Sequence, residues 1–296
     1  MKHKKSKVLS DKPVFKTKKS LGQHFLTNSR VPELMADAGE IKKGDIVLEI
    51  GPGTGMLTRT LLHRGATVHA LEADGRAITV LENTFSSEIA NKTLHILHSD
   101  VRSLRAGASD FRRIVLGKSD ASLTSLSSHI RNGTYKVVAN IPYYLTGHLF
   151  RTFLESDTQP TDLVFLVQRE VAERIARDTK ESILSLSIKV YGDPHYIKTI
   201  GKGNFVPPPK IDSAILAIRN ISKDRLGILP DADFFRLIHA GFSSKRKQLL
   251  GNLSILFPRE TLVHTFSTLS IPSDIRAEDL SLTKWLTLIR ALTLHS

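Results

Sequence analysis

The sequence changes character abruptly within one eight-residue stretch, Val137-Val138-Ala139-Asn140-Ile141-Pro142-Tyr143-Tyr144. Its first three residues are small or branched and apolar, which is typical of the end of a buried strand. An amide, a proline that cannot donate a backbone hydrogen bond and two aromatic residues follow at once. Ligands bind at the carboxyl ends of the strands in an open α/β sheet. The stretch therefore predicts either an ordinary Asn-x-Pro turn or a functional site at such an edge.

The residues after this strand suit a reaction at the exocyclic amine of a flat aromatic base. Such an amine is a poor nucleophile because its lone pair is delocalised into the ring, so acceptors aimed at its hydrogens would help. Asn140 offers a side-chain carbonyl, and the backbone carbonyl of Ile141 is expected beside it with no competing ladder partner. Tyr143 offers a face on which the base can stack. We predict that these four residues form the catalytic set, without a general base.

A glycine-rich loop follows an earlier apolar run. Residues Ile46–Ile50 have the length of a strand, lead into Gly51-Pro52-Gly53-Thr54-Gly55, and precede a predicted helix over 56–64. Glycine allows a cofactor to approach the backbone and lets the loop adopt positive φ. The loop lacks the Lys-Ser/Thr of a P-loop, so a nucleoside triphosphate is not expected.

Acidic residues follow the next two predicted strands, 67–71 and 94–98. Glu72 comes about twenty residues after the glycine loop, where a carboxylate can accept both hydroxyls of a ribose; otherwise it is a solvated strand end or a helix cap. Asp100, followed by Val101, can accept the amino group of an adenine or cap a helix. Carboxylates without a nearby Lys suit a sulfonium better than a dinucleotide, which points to S-adenosylmethionine.

Four further strands and eight helices complete the predicted order. The strands are 136–139, 163–167, 196–200 and 214–218, and the helices are 31–38, 145–154, 168–177, 183–190, 234–242, 248–256, 259–265 and 281–294. Between the last two strands, Phe205 precedes three prolines that favour stiff polyproline geometry. An exposed Phe205 near Tyr143 could sandwich a flipped base, or the ring could pack at a domain corner.

Composition limits the class of protein. The 296 residues carry a formal net charge of +13 with a pI near 9.9, which predicts an anionic partner such as nucleic acid. Residues 1–20 contain eight Lys and one Asp, so +7 of that charge lies in a tail predicted to be flexible. Cysteine is absent, which excludes thiolate metal sites and fits a reducing compartment. No apolar run has the length of a membrane span, so we expect a cytoplasmic protein.

The pattern divides the chain into three parts. These are the basic tail 1–20, an α/β domain 21–221 and a helical domain 222–296. The connection from 102 to 133 is rich in serine and is predicted to be a long segment with some helix. In the helical part, Lys245, Arg246 and Lys247 form a short basic run that is either a phosphate contact or a solvated surface.

Eight segments occur in the order found in the ribosomal RNA adenine N6-dimethyltransferase family. Together they resemble the small-subunit (16S) branch of this family in particular. They are Gly22–Leu26, Glu49–Gly55, Glu72, Asp100, Asn140–Tyr143, Gln168–Ala172, Phe205–Ser213 and Phe242–Lys247. The resemblance implies a class I, Rossmann-like methyltransferase fold with a seven-stranded, mainly parallel sheet and a small C-terminal all-helical domain that docks RNA. It implies N6,N6-dimethylation of two adjacent adenines near the 3′ end of small-subunit rRNA, within a pre-30S particle, by a monomer without metal.

The resemblance also assigns site residues. The implied cofactor set is His24, Leu26, Gly51, Gly53, Gly55, Glu72, Asp100, Val101 and Asn140, and the implied substrate set is Tyr143, Phe205, Lys245, Arg246 and Lys247. His24 departs from the family pattern, since many members have Asn there, and the connection after Asp100 is longer than usual. Two rival functions are a large-subunit rRNA dimethylase that confers macrolide resistance and a mainly non-catalytic ribosome assembly factor.

Overall fold

A computed structural model describes residues 23–103, 128–130 and 132–293 of the chain. The basic tail, and the part of the long connection from 104 to 127, lie outside these residues. Nine strands run through the described part: β1 (Phe25–Leu26), β2 (Ile46–Ile50), β3 (Thr67–Glu72), β4 (Leu94–His98), β5 (Lys136–Asn140), β6 (Asp162–Gln168), β7 (Asp193–Ile200), β8 (Phe205–Val206) and β9 (Ser213–Arg219).

Seven of these strands form one mixed sheet in the order β4-β3-β2-β5-β6-β9-β7. The first five are parallel, whereas β9 runs antiparallel to both β6 and β7. The loops after β2, β3, β4 and β5 therefore all leave from the same edge of the sheet. Ile50 lies beside both Leu71 and Ala139 in the register, which brings the glycine loop next to Asn140.

Helices cover both faces of the sheet and continue as a C-terminal helical region. They are α1 (Arg30–Ala38), α2 (Met56–His63), α3 (Gly75–Thr84), α4 (Ser86–Ala90), α5 (Thr146–Leu154), α6 (Arg169–Ala176), α7 (Ile183–Lys189), α8 (Asp231–Gly241), α9 (Leu249–Leu253), α10 (Arg259–Thr268) and α11 (Leu282–Thr293). None of the helices in the described part of the chain is long and apolar enough to cross a bilayer.

Two apolar cores hold these layers together. One lies between the sheet and α1, α2 and α3 and includes Val47 and Val68. The other begins on the opposite face with Leu163 and Leu216 and continues into the C-terminal helices around Phe234 and Trp285. Because this second core is continuous, apolar burial links the C-terminal helices to the sheet.

The predicted sheet and C-terminal helices are confirmed, with five of the seven strands one to three residues longer than predicted. Helix α4 and the short strands β1 and β8 were not predicted, whereas α3 is the helix near Arg76 that the alternative explanation of Glu72 required. β1 pairs antiparallel with β8 about 180 residues later, placing Leu26 opposite Phe205. Two-residue strands carry no periodic signal, so only their tertiary partner reveals them.

Candidate active site

One cavity at the carboxyl edge of the sheet brings together most of the predicted site residues. Its lining includes His24, Gly51, Gly53, Glu72, Asp100, Val101, Asn140, Ile141, Pro142, Tyr143 and Phe205. Leu26 and Gly55 are not part of this lining. Leu26 is instead buried in the core beside the cavity. The cavity therefore assembles residues from six separate segments into a single site.

The backbone conformation of the glycine loop explains why it contains three glycines. Gly51, Gly53 and Gly55 all have positive φ, a conformation that side chains resist. A Cβ at Gly51 would meet no atom of the described residues within 4 Å, whereas one at Gly55 would come within 2.5 Å of Cε2 of Phe85. Gly51 thus keeps the cavity floor open, while Gly55 permits the close packing of α2 on the Phe85 ring.

Glu72 is buried at the end of β3 and supports the glycine loop. Its carboxylate accepts the N–H of Gly53 at 3.2 Å and the N–H groups of Ala73 and Asp74 at 2.8 Å each. Burial raises the pKa of Glu72, and these backbone hydrogen bonds oppose the rise. The carboxylate is thereby held against the cavity, where it can receive a cationic or hydroxylated ligand.

Glu49 is a second acidic residue beneath the same loop, and sequence reasoning gave it no role of its own. It is 1% exposed, and neither carboxylate oxygen has a hydrogen-bond partner among the described residues. Burial raises its pKa to about 8; neighbouring Thr58 lowers it in part, and the charge of Glu72 raises it further. The side chain is therefore mostly neutral near pH 7 in the absence of a ligand.

Asp100 lines the cavity, and its carboxylate is hydrogen-bonded to Arg102 two residues later. The guanidinium of Arg102 donates to both carboxylate oxygens, with Nε at 2.9 Å from each. The backbone N–H of Arg102 also donates to Oδ1 at 2.9 Å, which is the capping role left open by the sequence. The Arg102 side chain lowers the pKa of Asp100, so this carboxylate stays ionised at the cavity wall.

Asn140 is oriented by the segment before β1. Its amide nitrogen donates to the backbone carbonyl of His24 at 3.0 Å. No donor within the described residues occupies its carbonyl oxygen, which is the atom able to accept from an amine. His24 is held in turn, because its Nδ1–H donates to the carbonyl of Pro207 at 2.7 Å. A segment remote in sequence thus sets the direction of the Asn140 acceptor.

Tyr143 forms one wall of the cavity in a short 3₁₀ turn after β5. Its ring lies near that of His24, with centroids 6.0 Å apart and planes 25° apart. Its hydroxyl is hydrogen-bonded to Ser213 Oγ at 2.7 Å. Burial raises the pKa of Tyr143, with a further contribution from Asp212. The phenol therefore stays neutral and offers an aromatic face to the cavity.

The expectation of an exposed Phe205 is wrong. The side chain is 3% exposed and belongs to the core under α1. It is buried because β8 pairs with β1, which turns Phe205 inward opposite Leu26. The ring still touches the cavity from below, so the packed-corner alternative describes it better than a free stacking platform.

The basic run of the C-terminal region lies away from this lining. Lys245 and Lys247 instead border a separate cleft between the α6–α7 loop and the C-terminal helices, with Arg174 and Arg276. Arg246 does not line that cleft. Across the parts of the chain that the structure describes, none of these four cleft cations has an ion-pair partner at 4.0 Å or less. The run is thus exposed, and the carboxylates of Asp178, Glu181 and Glu278 also line the cleft.

Several cavity residues carried too weak a sequence signal to be chosen. Gln23, Arg102 and Tyr144 line the cavity, and Tyr144 is 57% exposed at its mouth. Tyr144 could have been found as the second aromatic of the starting stretch. Arg102 lies two residues after Asp100, but only the fold shows that it turns back. No group of His, Asp and Glu in the described residues is arranged to hold a metal ion.

Comparison with known proteins identifies the family. The sequence profile described as ribosomal RNA adenine dimethylase matches residues 14–294. The chain is 33% identical over 283 residues to "Ribosomal RNA small subunit methyltransferase A" of Dehalococcoides mccartyi, covering 95% of this chain and 90% of that one. It is 32% identical over 281 residues to the protein of the same name from Clostridium botulinum, covering 94% of each.

A solved structure agrees with the fold. A dimethyladenosine transferase from Plasmodium falciparum superposes with a TM-score of 0.72 at 22% identity, covering 92% of this chain and 98% of that one. At this identity the likeness concerns the fold alone. Because the family profile spans nearly the whole chain and its relatives exceed 30% identity, this chain belongs to the ribosomal RNA adenine dimethylase family.

Proposed function

We propose that the chain transfers methyl groups from S-adenosylmethionine to N6 of two adjacent adenines in the loop of the 3′-terminal helix of small-subunit rRNA. The product is N6,N6-dimethyladenosine, made while the small subunit matures in the cytoplasm. The observation that carries the proposal is the meeting of Asn140 and Tyr143 with Gly51 and Glu72 in one cavity. Family membership supplies the class of reaction.

The cavity fits the proposed cofactor. Gly51 leaves open space where a Cβ would point, so a ligand can lie against the backbone there. Glu72 and Asp100 line the same cavity and present carboxylates to it. We assign Glu72 to the ribose, Asp100 and Val101 to the adenine, and Gly51 and Gly53, with His24 above them, to the amino-acid end. When bound, S-adenosylmethionine supplies an electrophilic methyl group on a positively charged sulfur.

The protein's part in the reaction is to prepare the target amine. The carbonyl oxygen of Asn140 and the backbone carbonyl of Ile141 accept the two amine hydrogens, which draws electron density onto the nitrogen. These contacts strengthen as the nitrogen becomes cationic, so they stabilise the transition state more than the bound substrate. Pro142 removes a competing backbone donor, and Tyr143 stacks on the base. The proton then leaves to water.

RNA docking is assigned to the basic surfaces. We propose that residues 222–296 form a docking domain and that Lys245, Arg246 and Lys247 contact phosphates. Beside them, Arg276 lies in the same region and Arg174 lies on the α/β part, and neither has an ion-pair partner among the described residues. The partner is a pre-30S particle, bound by a monomer and without a membrane or metal. With a net charge of +13, binding should weaken steeply with salt.

The first experiment measures transfer of labelled methyl groups to undermethylated small subunits, followed by identification of the labelled nucleosides. Label in N6,N6-dimethyladenosine near the 3′ end is expected. A parallel reaction uses undermethylated large subunits, and label in their RNA instead would assign the chain to the macrolide-resistance branch. Binding without label would favour an assembly factor.

Asn140→Ala tests the chemistry within the same assay. Loss of an acceptor that acts mainly in the transition state should lower turnover by roughly 10²–10³-fold with little loss of RNA binding. Asn132→Ala removes an exposed amide outside the cavity and serves as the matched control. Equal activity of Asn140→Ala and Asn132→Ala would refute the proposed role of Asn140.

A further inference from the structure

The hydroxyl of Tyr143 is bound by a residue that is not itself part of the cavity lining. Ser213 Oγ lies 2.7 Å from it, although the two residues are 70 positions apart. Ser213 is fully buried as the first residue of β9, between Gln168 of β6 and Ile200 of β7. Because β9 is hydrogen-bonded to a strand on each side, the hydroxyl of Ser213 has little freedom to move.

The rest of Tyr143 is also held. Its backbone carbonyl accepts the hydroxyl of Thr146 at 2.8 Å, and its ring lies against His24. These contacts fix the backbone and one side of the ring, but neither fixes the far end of the phenol. The hydrogen bond to Ser213 does so, and together with the His24 contact it sets the direction of the ring in the cavity.

We propose that Ser213 is a positioning residue for the target adenine, acting through Tyr143. The inference rests on the proposed function, because it requires the base to stack on the Tyr143 ring. The hydroxyl of Ser213 holds that ring at the angle at which the stacked base presents its amine to Asn140. Ser213 needs no contact with the base or with the cofactor.

The connection between the cavity walls supports this role. Phe205 touches the cavity from below, and the short segment from Phe205 to Ser213 leads directly to the Tyr143 contact. Along this segment, Pro207 accepts from His24, which in turn orients Asn140. One loop therefore ties the stacking ring and the acceptor to the same frame. Misplacement of a reacting group by about 1 Å costs on the order of 10²-fold in rate.

The test removes the same hydrogen bond from either end. Ser213→Ala and Tyr143→Phe each eliminate one hydroxyl and keep the aromatic ring, and the double variant eliminates both. We expect each single variant to lower kcat at saturating RNA by about 10-fold, with the dissociation constant for S-adenosylmethionine unchanged. The double variant should be no slower than either single variant, because both lose one shared interaction. Ser213→Thr keeps the hydroxyl and should restore most of the rate.

Three results would overturn the proposal, and a fourth would overturn the proposed function. Ser213→Ala that lowers the melting temperature but leaves kcat at the wild-type value would show a structural role only and overturn the proposal. A double variant whose loss of kcat equals the product of the losses in Ser213→Ala and Tyr143→Phe would also overturn it. Should Ser213→Ala fail to fold, Tyr143→Phe still removes the bond without altering β9, and a wild-type kcat for it refutes the proposal. An inactive wild-type protein would instead refute the proposed function before any variant is compared.

Discussion

The buried carboxyl of Glu49 should make the stability of this protein fall as the pH rises. Its pKa is 4.5 in an unfolded chain and about 8 in the fold, so folding favours the neutral form. Such a group contributes its full stability below pH 4.5 and loses it as the pH rises towards 8. From pH 5 to pH 7 the linkage relation gives a loss of roughly 2–3 kcal/mol from this residue alone.

Glu49→Gln isolates this contribution, because glutamine resembles the neutral acid in shape and cannot ionise. The free energy of unfolding of the variant relative to the wild type should increase by roughly 2–3 kcal/mol between pH 5 and pH 7. Urea denaturation without cofactor, followed by the fluorescence of Trp285, measures it; Trp285 is the single tryptophan and is fully buried. The matched control is Glu82→Gln on the exposed face of α3.

Buried His69 changes the free energy of unfolding with pH in the opposite direction, because burial lowers its pKa. The contribution of Glu49 is therefore taken from the difference between the variant and the wild type. If the Glu49→Gln and wild-type curves stay parallel from pH 5 to pH 7, the carboxyl is ionised in the fold and the reasoning fails. If Glu82→Gln gives the same change as Glu49→Gln, the effect comes from net charge and not from burial.

Three further predictions concern the cavity and its surroundings. Glu72→Gln should weaken binding of S-adenosylmethionine by roughly 10–100-fold, the value of a charge-assisted hydrogen bond, and titration calorimetry checks it; unchanged affinity would exclude the ribose role. Gly55→Ala should destabilise the fold by about 1–3 kcal/mol more than Gly51→Ala in urea denaturation, because both have positive φ but only Gly55 is crowded by Phe85; equal losses would contradict this. Burial lowers the pKa of His69 to about 3 from 6.5, so its contribution to the free energy of unfolding is present above pH 6.5 and lost as the pH falls. His69→Phe should therefore reduce the stability lost between pH 7 and pH 5 by up to about 2 kcal/mol in urea denaturation. An unchanged loss would mean that the imidazole is solvated.

Local patterns were enough to predict the layers of the fold and the strand ends that carry the chemistry. Apolar runs of strand length, such as Ile46–Ile50, can be read without a partner because every side chain in them is buried. The residues that follow each run, Gly51, Glu72, Asp100 and Asn140, had to meet once the strands were parallel, since parallel strands share one carboxyl edge.

Contacts between distant segments depended on the tertiary structure alone. The pairing of β1 with β8 buried Phe205, although the polyproline run beside it had left both an exposed and a packed ring open. The antiparallel insertion of β9 between β6 and β7 brought Ser213 to Tyr143 across 70 residues. The sequence by itself therefore determined which strand ends supply the site, because strand length and apolar pattern are local properties. Only the tertiary structure decided which of them hold one another in place, since strand order and register arise from the packing of the whole sheet.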